Sequence, residues 1–143
     1  MSPYCNITQS YEWGKLATLI GAKALHIGVV DDEGDLCAAM LLFITRVPVL
    51  YSTFLYAPRG PLINDPDSPA MTALLDFVRL QAHKHGAFML KVEPGVEHDN
   101  PRWFTALAQR GFRSNPYPLH VRSEWVLDIR PDEKDILAHM KEK

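Results

Sequence analysis

Cysteine is scarce in this sequence, and long hydrophobic runs are missing. Only two cysteines, Cys5 and Cys37, occur in 143 residues. They form no C-x-x-C motif, so we interpret both as free thiols in a reducing cytosol, and we expect Cys37 to be packed in a strand. No apolar stretch approaches the roughly 18 residues of a membrane span, and residues 1–10 lack the basic and apolar regions of a signal peptide. We therefore expect a cytoplasmic protein without a membrane span.

Neither sign of charge is in excess. The net charge is −2, the isoelectric point is near 6.3, and charged residues make up 22% against 47% hydrophobic ones. This composition is typical of a globular protein, and the length fits one domain over residues 1–143. The balance argues against strong non-specific binding to nucleic acid but leaves a local basic site open.

Three nucleotide-binding loops are also missing. No G-x-G-x-x-G follows a predicted strand, and no Walker A loop occurs, which argues against a dinucleotide-binding or P-loop domain. The R/Q-x-x-G-x-G/A loop with which ordinary acetyltransferases hold the pyrophosphate of acetyl-CoA is absent as well. The sequence therefore argues against acyl-CoA as the donor substrate.

The first half of the chain predicts a helix and three strands. Residues 10–20 have Trp13, Leu16, Ala17 and Ile20 at helical spacing, and Gly21 is placed to end the helix. Residues 24–30, 37–45 and 47–57 are rich in β-branched, aromatic or other apolar residues, and an acidic turn joins the first two. Short connections between consecutive strands predict an antiparallel meander.

The second half alternates helices with strands. A helix within residues 67–86 should bury Met71, Leu74, Leu75, Val78 and Ala82, and residues 87–94 form a largely apolar strand that we expect to be central and covered on both faces. A helix at 100–111, a strand at 123–129 and a helix from residue 130 follow. The order predicts an α/β (α+β) fold, a mixed sheet with packed helices of the acyltransferase-like type, in which the strand at 87–94 has a parallel neighbour.

Several polar residues are candidates for chemistry. Arg59 lies in a turn stiffened by two prolines, and its planar guanidinium suits phosphate or carboxylate. Glu93 ends the strand at 87–94, and partial burial would raise its pKa and make it a base. Lys91 lies on the same strand face and would offset such a rise. For each of these residues, the sequence supports a purely structural role about as well as a functional one.

The remaining candidates favour structural roles. His83 and His85 point in different directions at a helix end, with no further ligand at metal spacing, so we expect no metal site there. The Glu97–His98 pair precedes a helix start, where caps and turn formers are usual. Lys15 on the first helix is either solvated or a contact for a phosphate group.

Four motifs together resemble those of the FemABX family, bacterial aminoacyltransferases that build the interpeptide bridge of peptidoglycan. They are TQSYEWGK at residues 8–15, YAPRGP at 56–61, KVEP at 91–94 and HVRSEWVLDI at 120–129. The likeness runs over essentially the whole chain, and the first two motifs at this separation are fairly specific. The resemblance implies a GNAT (acyl-CoA N-acyltransferase)-like fold.

The resemblance also implies an activity and partners. Family members transfer an amino acid from aminoacyl-tRNA to an amine on the stem peptide of a lipid-linked or nucleotide-linked muropeptide, which needs no metal or cofactor. Lys15 matches the family's lysine near the muropeptide diphosphate. Glu93 matches a strand-end acid near the acceptor amine, as a base or as an amine-orienting group. Tyr56 and Arg59 match a turn that shapes the substrate groove or the fold.

The resemblance implies a longer protein. Family members continue into a second GNAT-like domain, so we expect this chain to be the N-terminal half of a two-domain enzyme. We expect this half to be inactive alone, and the enzyme to be cytoplasmic and peripheral at the inner membrane face. Two alternatives stay open. One is an N-acyltransferase that uses acyl-CoA, and the other is a non-catalytic GNAT-like module for binding or for dimerisation, for which a homodimer would be the expected state.

Overall fold

A computed structural model describes residues 6–48, 51–97, 100–121 and 127–140. Within these ranges the elements are five strands and four α-helices, preceded by a short 3-10 helix at Ile7–Gln9. In chain order they are α1 Tyr11–Leu19, β1 Lys23–Val30, β2 Leu36–Val47, β3 Ser52–Arg59, β4 Leu62–Ile63, α2 Pro69–Lys84, β5 Ala87–Pro94, α3 Pro101–Gln109 and α4 Glu133–Ala138.

The sheet is mixed, as the sequence predicts. The strand order is β1-β2-β3-β5, and the short β4 pairs with β2. β1, β2 and β3 form the predicted antiparallel meander. β5 returns after α2 and pairs in parallel with β3, which confirms the predicted parallel neighbour.

One face of the sheet carries the hydrophobic core, and we call it the α2 face. The predicted helix at 67–86 is confirmed as α2, which begins after Ser68. Met71, Leu74, Leu75 and Val78 are buried as predicted. They belong to one apolar cluster with strand and helix residues that include Ile27, Ala38, Met40, Leu42, Leu55, Ala57, Ile63 and Trp103.

The opposite face carries α1, and we call it the α1 face. Side chains alternate across a strand, so the residues between those of the core point to this face. They include His26, which lies opposite Leu41, and Phe43, Tyr56 and Lys91, which lie opposite one another across β2, β3 and β5. The two faces therefore differ in chemistry, because the α1 face mixes polar and apolar side chains.

The apolar positions that helical spacing marks in α1 are mostly not buried. Ala17 is buried together with Gly14, but Trp13, Leu16 and Ile20 are exposed. A Cβ on Gly14 would lie 2.3 Å from His26 Nε2 and 2.8 Å from Leu41 Cδ1. α1 therefore approaches the sheet through its smallest residues, and this closeness turns the large apolar side chains away. The helix itself and its end at Gly21, with φ +90°, are as predicted.

Two further strand predictions fail on side-chain exposure. Cys37 lies in β2 as expected but is exposed. Its neighbour Ala38 points into the core, and successive side chains of a strand point to opposite faces. Among the described residues β5 pairs only with β3, and Phe88 and Met89 are 56% and 40% exposed. β5 is therefore not covered on both faces.

The last third of the chain is only partly described. Residues 122–126 of the predicted strand at 123–129 lie outside the described residues, and residues 127–129 are not in a strand. The helix at 100–111 is confirmed as α3, capped by Asn100, whose side chain accepts a hydrogen bond from the Trp103 amide. α4 confirms a helix after residue 130. Within the described part of the chain, no helix combines the length and the apolar character needed to span a membrane.

Candidate functional site

Three of the candidate side chains meet where β3 and β5 end. Parallel pairing places Tyr56 beside Lys91 and Pro58 beside Glu93 on the α1 face. The Tyr56 hydroxyl donates to Glu93 Oε2 at 2.6 Å, and Lys91 Nζ lies 3.3 Å from Glu93 Oε1. The predicted proximity of Lys91 and Glu93 is thus confirmed, and the carboxylate lies at the centre of the group.

Both oxygens of Glu93 are engaged. The backbone amide of Leu119 donates to Oε1 at 2.6 Å, and that of His120 donates to Oε2 at 3.2 Å. The carboxylate and Lys91 are largely shielded, with side chains only 14% and 11% exposed. Such a carboxylate is stabilised by several hydrogen-bond donors in a site that is shielded from water.

The predicted rise in the pKa of Glu93 is wrong. Burial alone would raise it, but the hydrogen bonds from Tyr56, the Leu119 amide and Lys91, with the charge of Lys91, lower the pKa below its ordinary value. Burial raises the pKa of Tyr56, and the hydrogen bond to Glu93 and its negative charge raise it further. The pair therefore holds an ionised carboxylate against a protonated phenol.

Residues 117–121, of which only the last two fall in a motif marked by the sequence, lie across these strand ends. Lys91 Nζ donates to the Tyr117 carbonyl at 2.6 Å, and Arg59 Nη2 donates to the Val121 carbonyl at 2.6 Å. The Tyr56 hydroxyl also forms a hydrogen bond with His120 Nδ1. The polar side chains at the ends of β3 and β5 thus fix this segment over the site.

Arg59 is held in an uncommon backbone conformation. Its φ is +51°, in the left-handed region that non-glycine residues rarely adopt. This turn aims the guanidinium at residues 117–121, where Nη2 donates to the Val121 carbonyl.

A shallow open groove adjoins Tyr56. Its volume is about 400 Å³, and it runs from the end of α1 along β2 to Tyr56. Its lining includes Gly21, Phe43, Thr45 and Tyr56, so much of it lies on the α1 face. A molecule in this groove would reach the ring of Tyr56 at one end.

Lys15 lies apart from the group formed by Tyr56, Lys91 and Glu93, which we call the Glu93 group. It is exposed on α1, and it makes no ion pair or hydrogen bond with the residues that the structure describes. α1 lies against β1, on the same side of the sheet as Tyr56 and Glu93. The structure therefore places the predicted residues on one face without bringing Lys15 into contact with the others.

Gln9 joins the two motifs that identify the sequence. Its amide nitrogen donates to the carbonyls of Leu41 and Pro58 at 3.1 and 2.6 Å, and its oxygen accepts from the Leu41 amide at 2.8 Å. A Cβ on Gly60 would lie 2.8 Å from this side chain. The glutamine of TQSYEWGK therefore packs into the space left by the glycine of YAPRGP, which joins the two motifs in the fold.

The histidine and acidic side chains of the described residues are dispersed, and no group of three or more His, Cys, Asp and Glu side chains among them could hold an ion. His83 lies exposed near the end of α2. The predicted pair of Glu97 and His98 is not testable, since His98 lies outside the described residues.

Sequence reasoning missed Gln9 and His120 as members of this site. Gln9 was visible as a polar residue inside the most specific motif. His120 was visible only as the first residue of the last motif, and its contacts reach 64 residues back to Tyr56. Neither periodicity nor local spacing predicts such a contact.

Comparison with known proteins gives a consistent family. The FemAB family matches residues 1–101. Lipid II:glycine glycyltransferase of Staphylococcus saprophyticus is 31% identical over 141 residues, which are 95% of this chain and 34% of that relative. The chain thus spans about a third of the length of this curated relative.

Solved structures agree on the fold. The crystal structure of FemX matches with a TM-score of 0.71 and 28% identity, over 78% of this chain and 28% of that one. A probable acetyltransferase matches with a TM-score of 0.59 and 14% identity, over 79% of this chain and 77% of that one. The second match shows the GNAT-like fold alone, which confirms the predicted fold class.

Proposed function

The chain belongs to the FemAB family, and we propose that it forms part of an aminoacyltransferase for peptidoglycan interpeptide bridges. In this proposal, an amino acid passes from aminoacyl-tRNA to the stem-peptide amine of a lipid-linked or nucleotide-linked muropeptide. The family match over residues 1–101, which covers the groove and the Tyr56–Lys91–Glu93 group, carries the proposal. The relatives named lipid II:glycine glycyltransferase support lipid II chemistry at the acceptor.

The α1 face supplies what such a reaction requires. Lys15 offers an exposed cation for the acceptor diphosphate, and the groove leads from the end of α1 to Tyr56. Transfer of an acyl group to an amine depends mainly on orienting the two substrates, so a preorganised polar group beside a groove is the relevant feature. In this proposal, Tyr56 and Arg59 shape the groove.

Glu93 contributes as an ionised carboxylate. Its lowered pKa and its saturated oxygens make it a weak proton acceptor, so we assign it the amine-orienting role rather than the role of the base. It would orient the amine indirectly, by holding Tyr56 and residues 117–121 in place beside the groove. The proposed reaction involves no metal and no cofactor.

The proposed enzyme is longer than this chain. We assign residues 1–143 to one GNAT-like domain, paired with a second such domain of the same protein, because the relatives are about three times as long. Exposed apolar side chains on β5 and α2, among them Phe88, Met89 and Phe77, support a further packing partner. This domain alone would be inactive, and the enzyme would work in the cytoplasm near the inner membrane face.

A direct assay tests the proposal. The full-length gene product is incubated with labelled aminoacyl-tRNA and a lipid-linked or nucleotide-linked muropeptide. Appearance of the label on the muropeptide as an amide is the expected result. Absence of transfer from every aminoacyl-tRNA tested would overturn the proposal.

A parallel titration separates this proposal from acyl-CoA chemistry, which the fold neighbours share. Acetyl-CoA is added to the same protein in a calorimeter. Because the sequence has no loop for the CoA pyrophosphate, we expect no heat of binding. Saturable binding of acetyl-CoA, together with no aminoacyl transfer, would favour the acyl-CoA alternative.

A further inference from the structure

His120 is held at the site by three separate contacts. Its backbone amide donates to Glu93 Oε2 at 3.2 Å, its Nδ1 bonds the Tyr56 hydroxyl, and its ring stacks on that of Tyr56 with centroids 5.8 Å apart. A histidine fixed at both its backbone and its ring has a defined orientation. The hydrogen bond made by one ring nitrogen then sets the protonation state of the other.

The hydrogen-bond chain determines where the ring proton lies. A tyrosine hydroxyl has one proton to donate, and the ionised Glu93 carboxylate, 2.6 Å away, accepts it. The hydroxyl oxygen must then accept from His120, so Nδ1 carries a proton. In the neutral imidazole, the lone pair is therefore on Nε2.

Nε2 is the accessible end of this chain. The His120 side chain is 36% exposed, and Nε2 makes no hydrogen bond with any residue that the structure describes. It is not among the buried polar atoms without a partner, so it reaches solvent. The ring thus presents a proton acceptor outwards while it contacts Tyr56, which lines one end of the groove.

We propose that His120 Nε2 takes the proton from the attacking amine, with Tyr56 and Glu93 as positioning residues that fix its tautomer. This proposal rests on the proposed function. The amine nitrogen forms a bond to the ester carbonyl carbon and loses one proton to Nε2. The bond from that carbon to the tRNA oxygen breaks, and the proton on Nε2 is passed to the leaving oxygen, which restores the neutral ring.

The first test reads the tautomer and does not depend on activity. Nitrogen–proton correlation spectra are recorded on the full-length protein with labelled histidine, and the His120 signals are assigned by their loss in His120→Gln. We expect the Nδ1–H form at a pH where the ring is neutral, and a shift towards the Nε2–H form in Tyr56→Phe. An Nε2–H ring in the wild type would overturn the proposal.

The second test reads proton transfer. The charged and titratable groups that face His120 in the described structure are Glu93 and Lys91 on β5 and Tyr56 and Arg59 on β3. We expect His120→Gln to lower kcat by about 10²–10⁴-fold and to remove an inflection from the pH profile of kcat/KM, with KM for the muropeptide little changed.

His83→Gln is the matched control, because His83 is exposed on α2 and away from the site. It should keep the wild-type rate and inflection. A His120→Gln enzyme with the wild-type kcat and inflection would contradict the role of His120. If the wild type transfers no amino acid at all, the proposed function and this role both fall, while the tautomer result still reports on the hydrogen-bond chain.

Discussion

The two faces of the sheet differ in the side chains that pack on them. On the α2 face, α2 packs through fully buried residues such as Met71, Leu74 and Val78 onto a continuous apolar cluster. On the α1 face, the buried contacts are made by Gly14, Ala17 and the Gln9 amide, and polar side chains collect where β3 and β5 end. Apolar burial on the first face dominates stability, because it removes the most apolar surface from water.

The comparison explains where chemistry is available. A polar group costs free energy when buried unless it is hydrogen-bonded, and the Glu93 group meets that condition with donors from β3, β5 and residues 117–121. The α1 face therefore keeps an ionised carboxylate, a phenol and an imidazole in one fixed arrangement. The α2 face has no room for such groups in its described core.

The largest expected effect is on the α2 face. Leu74 is fully buried in the core, so Leu74→Ala should lower the free energy of unfolding by about 2–5 kcal/mol through lost burial and the cavity left behind. Urea denaturation measures it. Leu80→Ala, on the exposed side of the same helix, is the control and should change stability by less than about 0.5 kcal/mol. Equal losses in the two variants would contradict the assignment of the core.

The next effect concerns Gln9 on the α1 face. Gln9→Leu keeps the approximate size but removes the side-chain partner of the Leu41 amide and carbonyl, and leaves the Pro58 carbonyl with only the Thr8 hydroxyl as a donor. Since an unsatisfied buried polar group costs about 1–3 kcal/mol, we expect a loss in this range in the same urea experiment. Gln109→Leu, at an exposed site in α3, should leave the free energy of unfolding almost unchanged. An equally large loss of stability in Gln109→Leu would contradict the structural role of the Gln9 hydrogen bonds.

A smaller, pH-dependent effect concerns Glu93. Its pKa is lower in the folded protein than its ordinary value of 4.5, so its ionised form stabilises the fold at pH above that value. This stabilisation should be lost as the pH falls through the folded-state pKa. Glu93→Gln should therefore unfold more easily at neutral pH, and the difference from wild type should shrink in acid.

Thermal unfolding of Glu93→Gln and wild type across this pH range measures the effect. Glu97→Gln is the control, because Glu97 is exposed and no change is expected there. A stability gap between Glu93→Gln and wild type that stays constant down to acid pH would show that the carboxylate charge is not what stabilises the site.

The smallest effect on stability is expected at Lys15. Because Lys15 is exposed, Lys15→Ala should change the free energy of unfolding by less than about 0.5 kcal/mol. Loss of one cation at the diphosphate should weaken binding of a nucleotide-linked muropeptide by about tenfold, which corresponds to about 1.4 kcal/mol. Calorimetry on the full-length protein measures it, with Lys84→Ala on α2 as the control. Unchanged affinity in Lys15→Ala would remove Lys15 from the site.

The sequence predicts the α2 face better than the α1 face. The periodicity of Met71, Leu74, Leu75 and Val78 reports directly on burial, because α2 contacts the sheet through its large apolar side chains. The same reasoning fails for α1, where Gly14 is the contact and a large apolar residue would not fit. Hydrophobic periodicity does not report contacts made by glycine.

The candidate site is predicted only in part. The proximity of Tyr56, Lys91 and Glu93 is predictable, because parallel pairing of β3 and β5 follows from the order of the elements. The contributions of His120 and residues 117–121 depend on a segment without regular structure that reaches back to both strands. The pKa of Glu93 was predicted in the wrong direction for the same reason, since its strongest donors include that segment.

The central claim, that aminoacyl transfer occurs at the α1 face, is tested most directly by comparing transfer rates in variants of the two faces. The full-length protein with Glu93→Gln is compared with Leu80→Ala, at a temperature where both are folded, using labelled aminoacyl-tRNA and a muropeptide acceptor. We predict that kcat falls by at least about tenfold in Glu93→Gln, a loss of about 1.4 kcal/mol in transition-state stabilisation, and is unchanged in Leu80→Ala. Equal transfer by the two variants would contradict the account.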